Sequence, residues 1–518
     1  MEWNELMSQG RLGDPVVIDE FTEKRYPRNE FEKDYKRILT SASFRRLQDK
    51  TQVFPLDKSD FVRTRLTHSY ETSFIAKTLG GMILSKLKKK KLNARDKQAI
   101  EYIPEVLACA GLIHDIGNPP FGHFGEEIIK KWFTVNIKKL SIKYIETVDG
   151  EDNEISLAHV IDTYHSDFAS FDGNAQALRV LTKLHFQDSD YGLNLTNAVL
   201  NTLIKYPSSS KKVKPKGAKG YNIACKKMGY FLSEAMFYER ISDATGAKDC
   251  RHPLVYILEA ADDIAYKTAD IEDAFKKGLF TLDQLLNFID AKLEHCKEHD
   301  KRYTDRVDEL FRKLKNLRAE GANSNRFGKS FSNVDLHAMQ NWIPYVQEWL
   351  MYCAAYCFDK NYEKIMEGTF EHDLFYETNH HCTMEILQDI MGAFIFPDRE
   401  IVKLELSANT ILTSLLDKFV PAVLFHDKKF ESCDYVEIQS YEKIYNLISD
   451  NYREAYNLAV TELEISLEGE EYEGTHLDEM KAIKWEGDVY LRLLLAVDYV
   501  SGMTDSYAKA LYQELNGI

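Results

Sequence analysis

Residues 106–127 read VLACAGLIHDIGNPPFGHFGEE: an apolar run ends on His114-Asp115 and breaks at the turn Gly117-Asn118-Pro119-Pro120. The run has the three-to-four spacing of a helix, and it carries a carboxylate where one is costly. An ionised carboxylate taken out of water must be paired or must bind a metal, and imidazole beside carboxylate suits a hard-to-borderline divalent ion. Further out lie His68 in RTRLTHS (63–69) and Asp262 in LEAADDIAY (258–266), each on an amphipathic helical pattern. Taken singly, each of these is an ordinary buried histidine or, for Asp262 or its neighbour Asp263, a cap. The ordered set is not ordinary.

Helical periodicity continues through most of the chain. It predicts helices over 31–47, 67–90 and 94–114, then 172–186, 195–205, 222–243 and 252–275. Further helices are expected over 283–298, 302–319, 334–358, 378–392, 399–418, 437–462 and 478–515, with another beginning near Gly122. Residues 137–157 alternate instead and read as a small β-hairpin insertion. Pro207–Gly220 is a loop by composition, and 320–333 is the best linker. The fold class is therefore all-α. The expected division is a catalytic core over 1–320 and a C-terminal helical region over 321–518 that packs on it and contributes oligomer contacts.

Composition narrows the class of function. The chain has 518 residues, 44% hydrophobic and 29% charged, which is globular rather than disordered. No apolar run escapes interruption by Lys, Asp or Glu, so no membrane span is expected. The first residues lack a basic-then-apolar leader, and eight cysteines without paired C-x-x-C spacing look like reduced thiols. The expected location is cytoplasmic. A formal charge of −16 argues against broad adhesion to nucleic acid. Two basic runs, 86–91 (KLKKKK) and 211–219 (KKVKPKGAK), read as solvated surface segments, with an anionic nucleotide or weak single-stranded DNA binding as the sharper alternative.

Two imidazoles and two carboxylates from three helices suit one Mg²⁺ or Mn²⁺, with Fe²⁺, Co²⁺ or Ni²⁺ also compatible, better than a closed zinc site. Open positions would remain for water and a phosphate oxygen. His295-Cys296 with His299, Cys353 with Cys357, and His380-His381-Cys382 have ligand-like spacing but no completing partner in sequence. The aromatic-rich stretch 339–376, with Trp342, Tyr345 and Trp349, reads as core or subunit contact.

The ordered His…His-Asp…Asp set resembles the HD superfamily of metal-dependent phosphohydrolases. The stretches RRLQDKTQVFPL (45–56), LIHDIGNPPFGHFGEE (112–127), FDGNAQALR (171–179), LIKYP (203–207), EAADDIAYKTADIEDA (259–274) and DYVSGMTDSYA (498–508) resemble its deoxyguanosine triphosphate triphosphohydrolases. That resemblance implies an HD-domain helical fold and hydrolysis of a deoxynucleoside triphosphate, dGTP favoured, to deoxynucleoside and tripolyphosphate. It implies His68, His114, Asp115 and Asp262 as metal ligands; Asp262 is preferred to Asp263 because the family aspartate precedes a tyrosine by four residues, as Asp262 precedes Tyr266. It also implies a hexamer or other assembly of dimers. Some superfamily members carry histidine four residues after the first histidine of the His-Asp pair; Asn118 stands there in this chain and points to the guanosine-directed bacterial members.

The residues around the quartet suit that reaction. His123 is placed to protonate the leaving O5′, with Glu126 one helical turn on to orient and charge it. Arg65, one turn before His68, can grip the α-phosphate. Lys205, Tyr206 and Lys267 are candidates for the outer phosphates. By resemblance, Tyr266 lies against the deoxyribose, Gln52 reaches the 3′-hydroxyl, and Asn174 with Asp172 supports the catalytic histidine. Two alternatives stay open: an HD phosphohydrolase of another specificity, such as a nucleotidase or cyclic-nucleotide phosphodiesterase, and a deoxynucleotide or single-strand sensor. A sensor has no use for a leaving-group acid.

Overall fold

Capping chemistry decides where the site-bearing helices begin. Thr64 and Thr67 exchange side-chain and backbone hydrogen bonds in a capping box that starts the Arg65–Leu87 helix. Proline in the first turn opens the Ile103–Ile113 and Pro253–Lys276 helices, where its missing N–H costs nothing. The computed structural model describes residues 1–13, 28–54, 56, 59–137, 143–148, 151–156, 166–185, 191–215, 217–219, 221–323, 333–427, 435–469 and 477–518.

The Arg65–Leu87 helix packs on Ile103–Ile113, Pro253–Lys276 and Val334–Lys360. Ile75, Leu79, Val106, Leu112, Ile264, Trp342 and Leu350 lie in the apolar core that these and neighbouring elements share. Gly111 lets the first two helices touch backbone to backbone, since a Cβ there would stand 2.6 Å from Ser73 Cα. A second core forms around the Arg399–Phe425 helix, which packs on Gly122–Val135, Leu477–Gly502 and Asp505–Asn516. The apolar residues Val489–Val500 are buried there, against the body of the same chain. Arg179, on the Gly173–Thr182 helix, ties the C-terminal helices to the core. Its guanidinium is fully buried and bonds Asp498 at 2.7 Å and Glu234 at 2.7 Å.

The all-α expectation holds, with one small β insertion. Lys143–Val148 pairs antiparallel with Glu151–Ser156. Several helices are shorter than their apolar periodicity. The 31–47 pattern is broken at Ser41, which is C-cap of Glu30–Thr40 and N-cap of Ala42–Arg46. The 94–114 pattern passes through a 3-10 turn at Ile100–Tyr102. Within 222–243 only Ala235–Thr245 is α-helix, preceded by two 3-10 turns. The 437–462 and 478–515 patterns each divide in two, as Tyr435–Tyr445 with Asp450–Gly469 and Leu477–Gly502 with Asp505–Asn516. Of the expected linker, 320–323 closes the Asp305–Asn323 helix, 333 caps the next one, and 324–332 lie outside the described residues.

One expectation about apolar runs needs correcting. Arg399–Phe425 is long and apolar enough by composition to cross a membrane, but 67% of its apolar window is buried inside the protein. A core helix passes the same test. The Lys86–Lys91 run is also less free than its sequence implies: Lys86 and Lys90 pair with Asp359 at 3.7 and 3.1 Å, and Lys88 pairs with Glu101 at 2.8 Å.

Candidate active site

Three helices converge. His68 sits in the first turn of Arg65–Leu87, His114 is the C-cap of Ile103–Ile113 with Asp115 next to it, and Asp262 lies midway along Pro253–Lys276. His68, His114 and Asp115 each offer a ligand atom, all within 4.8 Å of one another. Asp262 Oδ1 closes the group, 3.0 Å from His68 Nε2 and 3.3 Å from His114 Nε2. The Gly111 carbonyl, 2.8 Å from His114 Nδ1, can accept that nitrogen's proton, so Nε2 is the atom turned toward the carboxylates. His114 Nε2 is buried and has no hydrogen-bond partner. The donor set fits a divalent ion: two imidazoles and two carboxylates face one point, and the carboxylates are held ionised.

Electrostatics explain that ionisation. Burial pulls the His114 imidazole down, but Asp115 and Asp262 outweigh it and push its pKa up to about 9. Burial raises the Asp115 carboxyl, while Arg65 and His114 pull it down to about 2. Asp262 is held well below the usual carboxylate range, burial being overcome chiefly by His114. Arg65 forms an ion pair with Asp115 and keeps its buried Nε without a partner. Asn118 donates to Asp115 Oδ1 at 2.6 Å. So the asparagine after the His-Asp pair orients a carboxylate.

His123 and Glu126 meet in the first turns of Gly122–Val135, with His123 Nδ1 3.2 Å from Glu126 Oε2. The imidazole side chain is 80% exposed and the Glu126 side chain only 3%. This hydrogen bond and the Glu126 charge raise the His123 pKa above its ordinary value. Glu126 Oε1 accepts the Gly173 amide at 2.9 Å. Gly173 is required there, because a Cβ would stand 2.1 Å from Asn118 Oδ1 and 2.7 Å from Glu126 Oε1.

A cavity of about 250 Å³ opens beside these groups, lined by His114, Asp115, His123, Asn174, Lys205 and Tyr206 among others. Of the residues expected from sequence, Gln52, Arg65, Tyr266 and Lys267 are not among its described lining. Lys205 is paired with Glu259 at 3.0 Å, Lys267 with Asp263 at 3.1 Å, and Tyr206 is buried in the wall. Asn174 turns its amide to Asp172 at 2.6 Å, so the described support of Glu126 comes from the Gly173 backbone instead. Gln52 Oε1, Arg65 Nε and Asp270 Oδ2 are buried without hydrogen-bond partners.

Sequence reading missed Lys226, Lys227 and Glu259 in this wall. Lys227 bonds Asp172 at 2.6 Å and lies 3.9 Å from Glu126. Burial lowers its pKa, but Asp172 and Glu126 raise it to about 12. Lys226 and Lys227 follow a 3-10 turn in ACKKMG, where a continuous helix over 222–243 was expected, and no motif marked them. Glu259 was legible only as one helical turn before Asp262.

The ligand-like spacings elsewhere fare differently. Asp300, Cys382 and Glu385 come within 4.8 Å of one another, but the Arg302 guanidinium already sits on Asp300 at 2.9 Å and on His381 Nδ1 at 3.0 Å. His295 and His299 stack on each other at 4.4 Å, and Cys353 and Cys357 are free thiols.

Residues 65–187 match the family model for the HD domain, and the convergence of His68, His114, Asp115 and Asp262 is in keeping with that class. Over 521 residues the chain is 42% identical to a deoxyguanosinetriphosphate triphosphohydrolase-like protein of Listeria innocua, covering 100% of each chain. It is 30% identical over 506 residues to the deoxyguanosinetriphosphate triphosphohydrolase of Serratia proteamaculans, covering 94% of this chain and 93% of that one. Identity to the Yersinia pseudotuberculosis enzyme of that name is 29% over the same shares. This HD-domain chain belongs to the deoxyguanosinetriphosphate triphosphohydrolase family.

Proposed function

We propose that this protein hydrolyses deoxynucleoside triphosphates, dGTP favoured, to deoxynucleoside and tripolyphosphate. The observation that carries the reading is the pairing of a four-ligand cluster with a carboxylate-backed imidazole across one lysine-lined cavity. The preference for dGTP rests on the names of the relatives.

His68, His114, Asp115 and Asp262 hold one divalent ion, Mg²⁺ or Mn²⁺ by availability, with Fe²⁺, Co²⁺ and Ni²⁺ suited to the same donors. That ion supplies Lewis-acid stabilisation to charge on a phosphate oxygen. Arg65 and the lysines Lys205, Lys226, Lys227 and Lys267 grip the triphosphate, with Tyr206 in the wall. Gln52 and Tyr266 border the sugar, and Asn174 in the cavity wall stands beside the catalytic histidine. Water adds to the α-phosphorus and loses a proton; the bond to O5′ breaks, and His123 gives O5′ its proton. Glu126 holds the imidazole charged and aligned for that transfer. The raised His123 pKa suits a group that must carry a proton near neutral pH.

The core over 1–320 carries this chemistry, with 321–518 packed on it and contributing contacts in a cytoplasmic homo-oligomer, a hexamer or other assembly of dimers. Tyr70 with Phe74, and Tyr352 with Tyr356, are exposed aromatic pairs at i,i+4 that favour such contacts. Weak single-strand binding is left to the 211–219 loop. Chromatography of dGTP incubated with Mn²⁺-loaded protein should show deoxyguanosine. Asp115→Ala should abolish both this product and bound metal while the helical circular dichroism persists. Full metal stoichiometry in that variant overturns the ligand assignment.

A further inference from the structure

Phe121 is held in an unusual way. It stands at the N-cap of Gly122–Val135 with φ 63° and ψ 19°, left-handed backbone that non-glycine residues seldom adopt, and its own side chain does not cap the helix. Its amide donates to Asp505 Oδ1 at 2.9 Å, across 384 residues of chain. The other carboxylate oxygen of Asp505 accepts the Thr51 amide at 3.0 Å and the Thr51 hydroxyl. Thr51 pairs with Thr64 as an isolated antiparallel bridge, and the Lys50 carbonyl accepts the Arg65 amide at 3.1 Å. One carboxylate thus joins the segment leading to Arg65 and His68 to the turn leading to His123 and Glu126. Lys50 adds a second tie, its Nζ donating to the Asn118 carbonyl at 2.5 Å and the Ser501 carbonyl at 3.0 Å.

Asp505 is 2% exposed and is not among the described residues lining the catalytic cavity. Burying a carboxylate is costly unless donors surround it, and here the donors come from both site-bearing segments. An apolar residue could fill the space but could not hold the Phe121 amide.

We infer that Asp505 is a positioning residue for the reaction proposed above, on which this inference rests: it fixes the 117–122 turn and through it the His123 imidazole. The C-terminal helix then serves the active site although it contributes nothing to the cavity wall. Asp505→Asn separates this role from simple packing. An amide keeps its oxygen for the two Thr51 donors and turns its NH₂ onto the Phe121 N–H, so the Phe121 bond is the one lost.

The test uses full-length, metal-loaded protein. In Asp505→Asn, kcat for dGTP should fall by roughly 10–100-fold, the scale of a misplaced catalytic group, while KM and melting temperature stay near wild type. Hydrogen exchange of peptides covering 116–124 should speed up, and that of 66–87 should not. In a His123→Ala background the same substitution should have almost no further effect on kcat, because residues acting as a unit are non-additive. Ser506→Ala, which removes a 2.8 Å bond to Asp49 from the same helix start, should leave kcat unchanged. Unchanged exchange at 116–124, or an equal kcat loss with and without His123, overturns the inference. If wild type releases no deoxyguanosine, the functional reading fails, and the exchange data still decide whether Asp505 holds the turn. Should Asp505→Asn not fold, Asp505→Ser, whose hydroxyl can still accept from Thr51, is read by the same criteria.

Discussion

His114 and His123 are nine positions apart and divide the labour through their neighbours. His114 is enclosed by Asp115 and Asp262, so its nitrogen serves the ion-binding point. His123 is exposed and answers to Glu126 alone among the described carboxylates within ion-pair distance, so it is free to meet substrate with a proton. His123→Ala should therefore bind metal and dGTP nearly as wild type does, yet turn over about 10²–10⁴-fold more slowly. Substrate affinity and single-turnover rate check this; loss of metal would make His123 a ligand instead. The pH dependence has a definite sign. The proton-bearing form is the active one and its pKa is raised, so kcat holds below that pKa and falls as pH rises through it. Glu126→Gln removes the largest cause of the rise, so the alkaline limb should move to lower pH. A limb that does not move contradicts the assignment.

At the scale of elements, the distance between His68 and His114 is set by a helix crossing. Gly111 faces the Ser73 backbone, and the Ser73 hydroxyl donates to the Ala108 carbonyl at 2.8 Å. Gly111→Val should cost roughly 1–3 kcal/mol by overpacking and weaken metal binding, because the two helices must separate. Denaturant midpoints and metal titration measure both effects; a variant with wild-type metal affinity would show that the crossing does not set the site. The quartet was legible because each ligand lies on a strong helical pattern. Helix breaks were less so: Ser41 ends one helix and caps the next, Thr504 caps Asp505–Asn516 just after Leu477–Gly502 ends, and the apolar period runs straight across both. Lys227 and Asp505 were not recognised as parts of the site. Their partners, Asp172 for one and Phe121 with Thr51 for the other, are brought to them only by tertiary packing.

Over the whole molecule, Trp342, Ile343 and Leu350 share an apolar cluster with Ile75 and Val106, which packs the Val334–Lys360 helix on the helices that carry the ligands. The buried Arg179–Asp498–Glu234 group ties the C-terminal helices to the core with charge. Removing one member of such a group is far more costly than never having built it. The apolar excess of the last helices is spent inside the chain, which leaves the exposed aromatic pairs on Arg65–Leu87 and Val334–Lys360 for neighbours. Light scattering at micromolar concentration should return an oligomer with an even number of subunits; a monomer contradicts that assembly. The most direct test of the chemistry is ³¹P NMR of dGTP turned over in H₂¹⁸O with Mg²⁺. Attack at the α-phosphorus with O5′ leaving predicts tripolyphosphate as the first phosphorus product, labelled at one terminal phosphate, and unlabelled deoxyguanosine. Pyrophosphate with dGMP, orthophosphate with dGDP, or label in the nucleoside would contradict it.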